Sequence, residues 1–339
     1  MTYEPCFRIT AIIMNNMMKI AEATVKLRDI CHGNRMVHLR RTNRLRSLQS
    51  SLAIEGNSLS LDEVIAVIDG RTISGPQDEI EEVMNAHRAY ESMDSIDPYS
   101  AEDILKMHRV MMGGLIESAG SFRKGDEGVF DKEVNCVHLA PGPDMVPGLM
   151  EQLLRWTRES DYHMILKSCV FHYEFESIHP FEDGNGRMGR LWQTILLSKY
   201  EVSFKWIPVE SMIRSYQNRY YDAIALSNET CDCTPFIEFM TDIILKTMEK
   251  SIEETLRENI DIDDWMTVNE MRLYSMIRDG HFRNIAQAAG MLNISIPTLN
   301  RCLRSMKDHG AIRKVGNKRT GKWVVITDEM TVDHTSSNE

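Results

Sequence analysis

The sequence predicts a mainly α protein: a helical body interrupted once by a β-hairpin, then a smaller C-terminal α+β unit of helices and a second hairpin. Three observations carry this. Apolar residues recur at helical spacing through most of the chain up to about residue 258. One stretch, 120–140, breaks that spacing with Gly120, Gly125 and Gly128 and an alternating pattern. The charge also changes sign: Trp265 to Trp323 holds 11 Lys/Arg against 3 Asp/Glu, a local +8, so with −11 overall the remainder carries −19.

The bulk properties agree. A chain of 339 residues holds two or three domains with a core for each. Apolar residues at 42% and charged residues at 26% exclude a disordered or fibrous protein. No apolar run approaches the roughly 18 residues of a membrane helix. Met1 to Lys19 lacks a basic lead, a long apolar stretch and a small-residue cleavage site, so no signal peptide is read. The 7 cysteines are odd in number and scattered, which fits free thiols in a reducing cytoplasm. Cys231-Asp232-Cys233 has no second Cys or His pair nearby, so a metal reading is the weaker one.

Taken in order, residues 9–30 read as a helix with Ile12, Ile13, Met17 and Ile20 on one stripe. A second runs from about 40 to Ile54 and stops at Glu55-Gly56-Asn57. Ser60-Leu61-Asp62-Glu63 is a capping box opening the next. Ser100 caps another that ends near Gly113-Gly114. Further helices read at about 145–158, 162–177, 185–200, 209–227 and 235–258. The hairpin 121–139 is closed by Pro141-Gly142-Pro143. Asp261-Ile262-Asp263-Asp264 is the linker candidate, and the polar tail after Asp328 reads as disordered. The resulting division is 1–59, 60–260, 262–328 and a tail 329–339.

The chemistry concentrates in His179-Pro180-Phe181-Glu182-Asp183-Gly184-Asn185-Gly186-Arg187-Met188-Gly189-Arg190. The residue before a proline is pushed out of helical conformation, so His179 falls at a helix end or in a loop. Gly184-Asn185-Gly186 permits a tight turn with several N–H groups facing one way, and a helix opens directly after it. That is an anion-binding nest reinforced by the helix dipole. Arg187 and Arg190 lie three apart and can converge over the nest, where their planar forks suit phosphate oxygens. Asp183 adjoins it and suits a Mg²⁺ bridging phosphates. His179 is the neutral-pH base of the cluster. A glycine turn with solvated arginines explains any one of these residues alone. It does not explain a base, a carboxylate, a nest and two arginines together.

The segment 179–190 resembles the signature of Fic-domain proteins, His-x-Phe-x-(Asp/Glu)-Gly-Asn-Gly-Arg-x-x-Arg, at every specified position. With the surrounding helices and the preceding hairpin, the resemblance covers roughly 60–258. It implies a helical Fic core and nucleotidyl transfer from ATP, usually of AMP to a Ser, Thr or Tyr hydroxyl of a target protein. It implies that His179 is the general base and that Phe181 anchors the loop. Asp183 would bind the metal. Gly184, Asn185 and Gly186 would hold the α- and β-phosphates, and Arg187 and Arg190 the β- and γ-phosphates. The hairpin 121–139 resembles the family's flap, which pairs with a target peptide by strand addition. Tyr216, Tyr220 and Tyr221 follow the motif helix; a place in the core suits them better than an adenine pocket.

Ser51-Leu52-Ala53-Ile54-Glu55-Gly56 matches the family's inhibitory pattern, (Ser/Thr)-x-x-x-Glu-(Gly/Asn). An acidic residue in a helix's last turn opposes the dipole at about 0.3–1 kcal/mol when exposed, so Glu55 fits better with a cation partner. The resemblance makes that partner Arg190, places the chain among the N-terminally self-inhibited members and leaves open that the same glutamate supports AMP removal. A solvated Glu at a frayed helix end is the plain alternative.

Beyond the linker, 265–280, 285–290 and a helix opened by Ser295-Ile296-Pro297-Thr298 precede strands at 311–315 and 322–326. Leu299, Leu303 and Met306 face inward on the third helix, with Thr298, Arg301, Arg304 and Lys307 outside. The order resembles a winged helix-turn-helix, with 295–323 as a DNA-contacting surface. A protein-contact or dimerisation module is the alternative. The expectation as a whole is a soluble, cytoplasmic, self-inhibited protein adenylyltransferase using ATP and Mg²⁺, acting on a target protein, with a homo-oligomer left open. A DNA-binding regulator with an ATP-sensing core is the second reading, and transfer of UMP or phosphocholine the third.

Overall fold

In the computed structural model the described residues are 3–30, 36–126, 128–130, 136–263, 266–315 and 321–326. The chain divides into two compact units, the first made of residues 1–32 and 39–252 and the second of residues 33–38 and 253–339.

The first unit is a stack of helices: α1 (Ala11–Ile30), α2 (Met36–Ile54), α3 (Leu61–Ile68), α4 (Gln77–Ser92), α5 (Ala101–Met112), α6 (Val146–Glu159), α7 (Met164–Ile178), α8 (Asn185–Tyr200), α9 (Val209–Ser215), α10 (Gln217–Thr230) and most of α11 (Thr234–Asp263). α7 and α8 pack most extensively on each other and form the axis. α7 carries apolar residues all round, and both faces are buried: Phe171, Phe175 and Ile178 in one core, Ile165, Cys169 and Tyr173 in the other. The first core adds the inner faces of α2 to α6; the second adds those of α1, α10 and α11. On α8, Trp192 is buried and its indole N–H donates to the Pro98 carbonyl at 2.9 Å.

The capping box forms as expected, with Ser60 and Glu63 exchanging bonds at the start of α3, and Ser100 caps α5. Three expectations are corrected and one helix, α4, was missed. Ile12 is 53% exposed while Ile13 and Ile20 are buried, so the buried stripe of α1 is narrower than predicted. The helix expected over 209–227 breaks at Tyr216 (φ −118°, ψ 31°) into α9 and α10. The acidic stretch read as a linker continues α11 through Asp263, because nothing in Asp261-Ile262-Asp263 forbids helix. Of the hairpin, β1 (Gly128–Phe130) pairs antiparallel with β2 (Cys136–Leu139), with a bulge between Val129 and Phe130. Its turn, 131–135, lies outside the described residues.

The second unit holds α12 (Val268–Arg278), α13 (Ile285–Leu292), α14 (Ile296–Asp308) and the antiparallel pair β3 (Ile312–Val315) and β4 (Lys322–Val325). Leu273, Ile277, Leu292, Leu299, Leu303, Met306 and Ile312 form its core. Thr267 and Glu270 box the start of α12, Ser295 caps α14, and Asn293 turns the chain between α13 and α14 in left-handed conformation (φ 54°). Arg301, Arg304 and Lys307 are exposed, as are Arg313 and Lys314 on β3. The 316–320 connection and the tail 329–339 lie outside the described residues. No described helix is long and apolar enough to cross a membrane.

Candidate active site

The site lies where α7 ends and α8 begins. His179 is the residue after α7 and adopts left-handed backbone (φ 50°, ψ 62°), with its N–H still bonded to the Phe175 carbonyl at 3.0 Å. A non-glycine residue there costs about 1–2 kcal/mol, so its surroundings must hold it. Three anchors do. Phe181 is fully buried, and the Asn185 side chain clasps its backbone from both sides: Phe181 N–H donates to Oδ1 at 2.9 Å and Nδ2 donates to the Phe181 carbonyl at 2.8 Å. His108 of α5 stacks on the Phe181 ring at 3.6 Å between centroids and 6° between planes. Arg123, 4% exposed, donates from Nε to the His179 carbonyl at 2.7 Å.

His108 is held neutral. Burial pushes its pKa down to about 4, against the hydrogen bond to Asp183. The Gly120 N–H donates to Nδ1 at 2.9 Å, which leaves Nε2 to carry the proton and donate to the Asp183 carbonyl, also at 2.9 Å. The loop then reaches Gly184, whose φ of +85° and close approach to Met112 Sδ exclude a side chain (a Cβ would sit 2.6 Å away). Gly184 is the N-cap of α8, so the N–H groups of Asn185, Gly186 and Arg187 are first-turn donors without a carbonyl four residues back inside the helix. This is the nest that the sequence predicts.

The two motif arginines do not converge. Arg187 reaches Glu82 of α4 (Nη1 to Oε1, 2.8 Å) and Asp183 (Nη2 to Oδ1 3.2 Å and to Oδ2 3.1 Å). Arg190, with 1% of its side chain exposed, turns to α2. Its Nη2 meets Glu55 Oε1 at 2.6 Å and the Ser51 carbonyl at 3.0 Å, and its Nε donates to Ser51 Oγ at 3.1 Å. Glu55 follows the last residue of α2, and Gly56 (φ +100°) reverses the chain behind it. The same carboxylate presses on the nest: a Cβ on Gly186 would lie 2.3 Å from Glu55 Oε1. Burial works against the Arg190 charge, but Glu55 and then Tyr220 and Glu176 more than offset it and raise the guanidinium pKa.

Glu176 of α7 is buried beside this pair. Burial pushes its pKa up to about 7, the Arg190 charge opposing and the Glu55 charge assisting. Next to it His172, lowered to about 3 by burial, bonds Gln193 Oε1 at 2.7 Å and the Tyr220 hydroxyl at 3.1 Å. Tyr220 is therefore core, as expected, while Tyr221 is 47% exposed.

The motif pattern matches known proteins in the same place. The Fic/DOC family pattern covers residues 98–197. A Fic family protein from Desulfovibrio desulfuricans G20 is 36% identical, superposes with a TM-score of 0.74, and is covered over 98% of its length and 96% of this chain. The chain belongs to the Fic family. It is also similar to the Protein adenylyltransferase Fic of Drosophila melanogaster, 31% identical over 211 residues, which is 59% of this chain and 40% of that protein. The Aedes aegypti protein of the same name is 28% identical over 217 residues, 60% of this chain and 41% of that protein. The chain thus spans about two fifths of these relatives. Fic-1 from C. elegans shares the fold, with a TM-score of 0.60 at 21% identity.

For this Fic protein, sequence reasoning missed His108, Arg123, Glu82 and Glu176. None belongs to a motif; each is brought to the loop by helix packing. The one available signal is the glycine at position 120, which the structure places at φ +84°, where a Cβ would lie 2.7 Å from Arg109 Nε of α5.

Proposed function

We propose that this Fic protein is a self-inhibited protein adenylyltransferase that moves AMP from ATP to a hydroxyl of a target protein. The observation that carries this reading is the Glu55 carboxylate against Gly186 and Arg190, an anion seated where a nest and a buried guanidinium converge. A phosphate chain suits the same groups. His179 accepts the hydroxyl proton, the oxygen bonds the α-phosphorus, and the bond to pyrophosphate breaks. Gly184, Asn185 and Gly186 cradle the α- and β-phosphates through backbone N–H groups. Arg187 and, once released, Arg190 take the outer phosphates. Asp183 suits Mg²⁺: its carboxylate is 57% exposed, and this ion draws most ligands from water and phosphate rather than from a cage of carboxylates. The strands β1 and β2 serve as the flap for the target peptide. Reversal by the same glutamate is part of the reading, as is a cytoplasmic location, to which the free thiols Cys6, Cys169, Cys231, Cys233 and Cys302 are suited.

The test is incubation of the full chain with α-labelled ATP and Mg²⁺. Glu55→Gly is expected to label itself or a lysate protein, and Glu55→Gly with His179→Ala to lose about 10²–10⁴ of that rate while still binding ATP. Equal labelling by both would remove His179 from its role.

A second reading concerns the second unit. Its exposed Arg301, Arg304, Lys307, Arg313 and Lys314 on a three-helix, one-hairpin frame favour a winged helix-turn-helix that binds duplex DNA, α14 in the major groove and the hairpin on phosphates.

A further inference from the structure

We propose that Arg123 is a positioning residue for the transfer reaction, tying both feet of the β1–β2 hairpin to the backbone of His179 so that acceptor strand and base move as one piece. The proposal rests on the adenylyl-transfer reading for its catalytic consequence, but its geometric core does not.

Arg123 is buried, and among the described residues no carboxylate lies within ion-pair distance of it. Its charge is met by carbonyl oxygens instead. Nε donates to His179 at 2.7 Å, Nη1 to Gly125 at 2.7 Å, and Nη2 to Pro141 and, at 3.4 Å, to Ile178. Its own N–H donates to Pro180 at 3.0 Å. Gly125 precedes β1 and Pro141 follows β2, so one guanidinium closes the base of the hairpin. Ile178 and His179 carry C-terminal carbonyls of α7, which lack acceptor roles inside the helix and mark its negative pole.

The consequence falls on His179. Phe175 fixes its N–H and Arg123 fixes its carbonyl, so the left-handed φ and ψ are pinned from both ends. The ring's direction follows from those angles. The hairpin's feet are fixed by the same planar fork, whose several donors point in set directions. A lysine offers a single point charge in place of that fork. Loss of the fork therefore frees the hairpin and the base from each other.

The experiment uses the full chain with Arg123→Lys, and Pro141→Gly as a second variant that loosens one foot without touching the buried charge. Hydrogen exchange is read on peptides over 120–126, 136–142 and 178–184. All three are expected to exchange at least about tenfold faster in Arg123→Lys while α11 is unchanged, and in Pro141→Gly in the same direction with a smaller effect. Faster exchange in the hairpin peptides with 178–184 protected as before would overturn the proposal, with or without measurable activity. In the Glu55→Gly background, Arg123→Lys is expected to lower kcat about 10–100-fold with KM for ATP within about threefold of its parent, because the nest is intact and only the geometry of attack is lost. An elevated KM with kcat preserved would equally overturn it. If Glu55→Gly itself labels nothing, the adenylyl-transfer reading fails and the exchange experiment alone decides the tether.

Discussion

Glu55→Gly removes one partner of the Arg190 pair and leaves the other buried. Breaking a fully buried pair costs about 3–5 kcal/mol. Here the cost is expected to be smaller, roughly 1–2 kcal/mol, for three reasons. The Glu55 side chain is 33% exposed, so water already screens it. Arg190 keeps Ser51 Oγ at 3.1 Å and the Ser51 carbonyl at 3.0 Å. Glu176, whose protonation the Glu55 charge favours, ionises more readily once that charge is gone and supplies a replacement. A fall in Tm of a few degrees is therefore expected. The gain in rate has two sources: the carboxylate leaves the space against Gly186, and Arg190 becomes free for a phosphate. A preorganised donor aimed at developing charge is worth about 10²–10³ in rate, so self-labelling from α-labelled ATP is expected to rise by at least about 10². The assay compares wild type, Glu55→Gly, Arg190→Ala and the double variant. The double is expected to lose most of the gain. No acceleration in Glu55→Gly would refute the brake, and a double variant as fast as Glu55→Gly would refute Arg190 as its route.

Three further outcomes are expected. His108→Ala opens a gap beside Phe181 and strands the Gly120 N–H and the Asp183 carbonyl, so a loss of about 3 kcal/mol in urea unfolding is expected; a loss under about 1 kcal/mol would mean that the loop is anchored elsewhere. Arg301→Ala with Arg304→Ala in the full chain is expected to weaken binding to duplex DNA and to flatten log K against log salt by about 2, whereas no duplex binding at about 50 mM salt would make the unit a protein-contact module. Between pH 6.5 and 4.5 the unfolded chain protonates His108 and His172 while the folded chain, with values near 4 and 3, does not; Glu176, raised to about 7, is protonated only when folded and cancels one of the two. Stability is thus expected to fall on acidification with a slope near one proton from these groups, and Glu176→Gln to steepen it to about two; an unchanged slope would remove Glu176 from this role.

What was legible in the sequence was what repeats locally. The nest, the caps at Ser60 and Ser100, and the position of His179 at a helix end follow from glycine, serine and pre-proline chemistry within a few residues, and all are present. The pairing of Glu55 with Arg190 spans 135 positions and was reached through a resemblance rather than from spacing. The partners that Arg187 has in this structure carry no local signal. Three residues apart on a helix suggests convergence with Arg190, but Glu82 on the unanticipated α4 and Asp183 draw Arg187 aside. α4 itself escaped notice because its stripe of Val83, Ala86, Ala89 and Tyr90 is diluted by charge. His108 and Arg123 carry no local signature at all; their roles exist only after α5 and the hairpin fold against α7.

That division has a physical reason. The loop after α7 holds His179 in a conformation that its own sequence disfavours, so its stability must be imported. Phe181 supplies burial, Asn185 closes the turn on itself, His108 spans two backbone groups, and Arg123 neutralises the end of α7. Each anchor is neutral or satisfied by carbonyl oxygens, so none draws on the charges around the nest. Glu55 is different: it is attached to α2, outside the loop, and meets the site through one short ion pair and a contact with Gly186. A group so attached can leave without dismantling the loop, because the four anchors remain. On the proposed reading the site is therefore assembled before it is released, and the freedom that regulation would need is confined to the turn at Glu55-Gly56 rather than to the loop after α7.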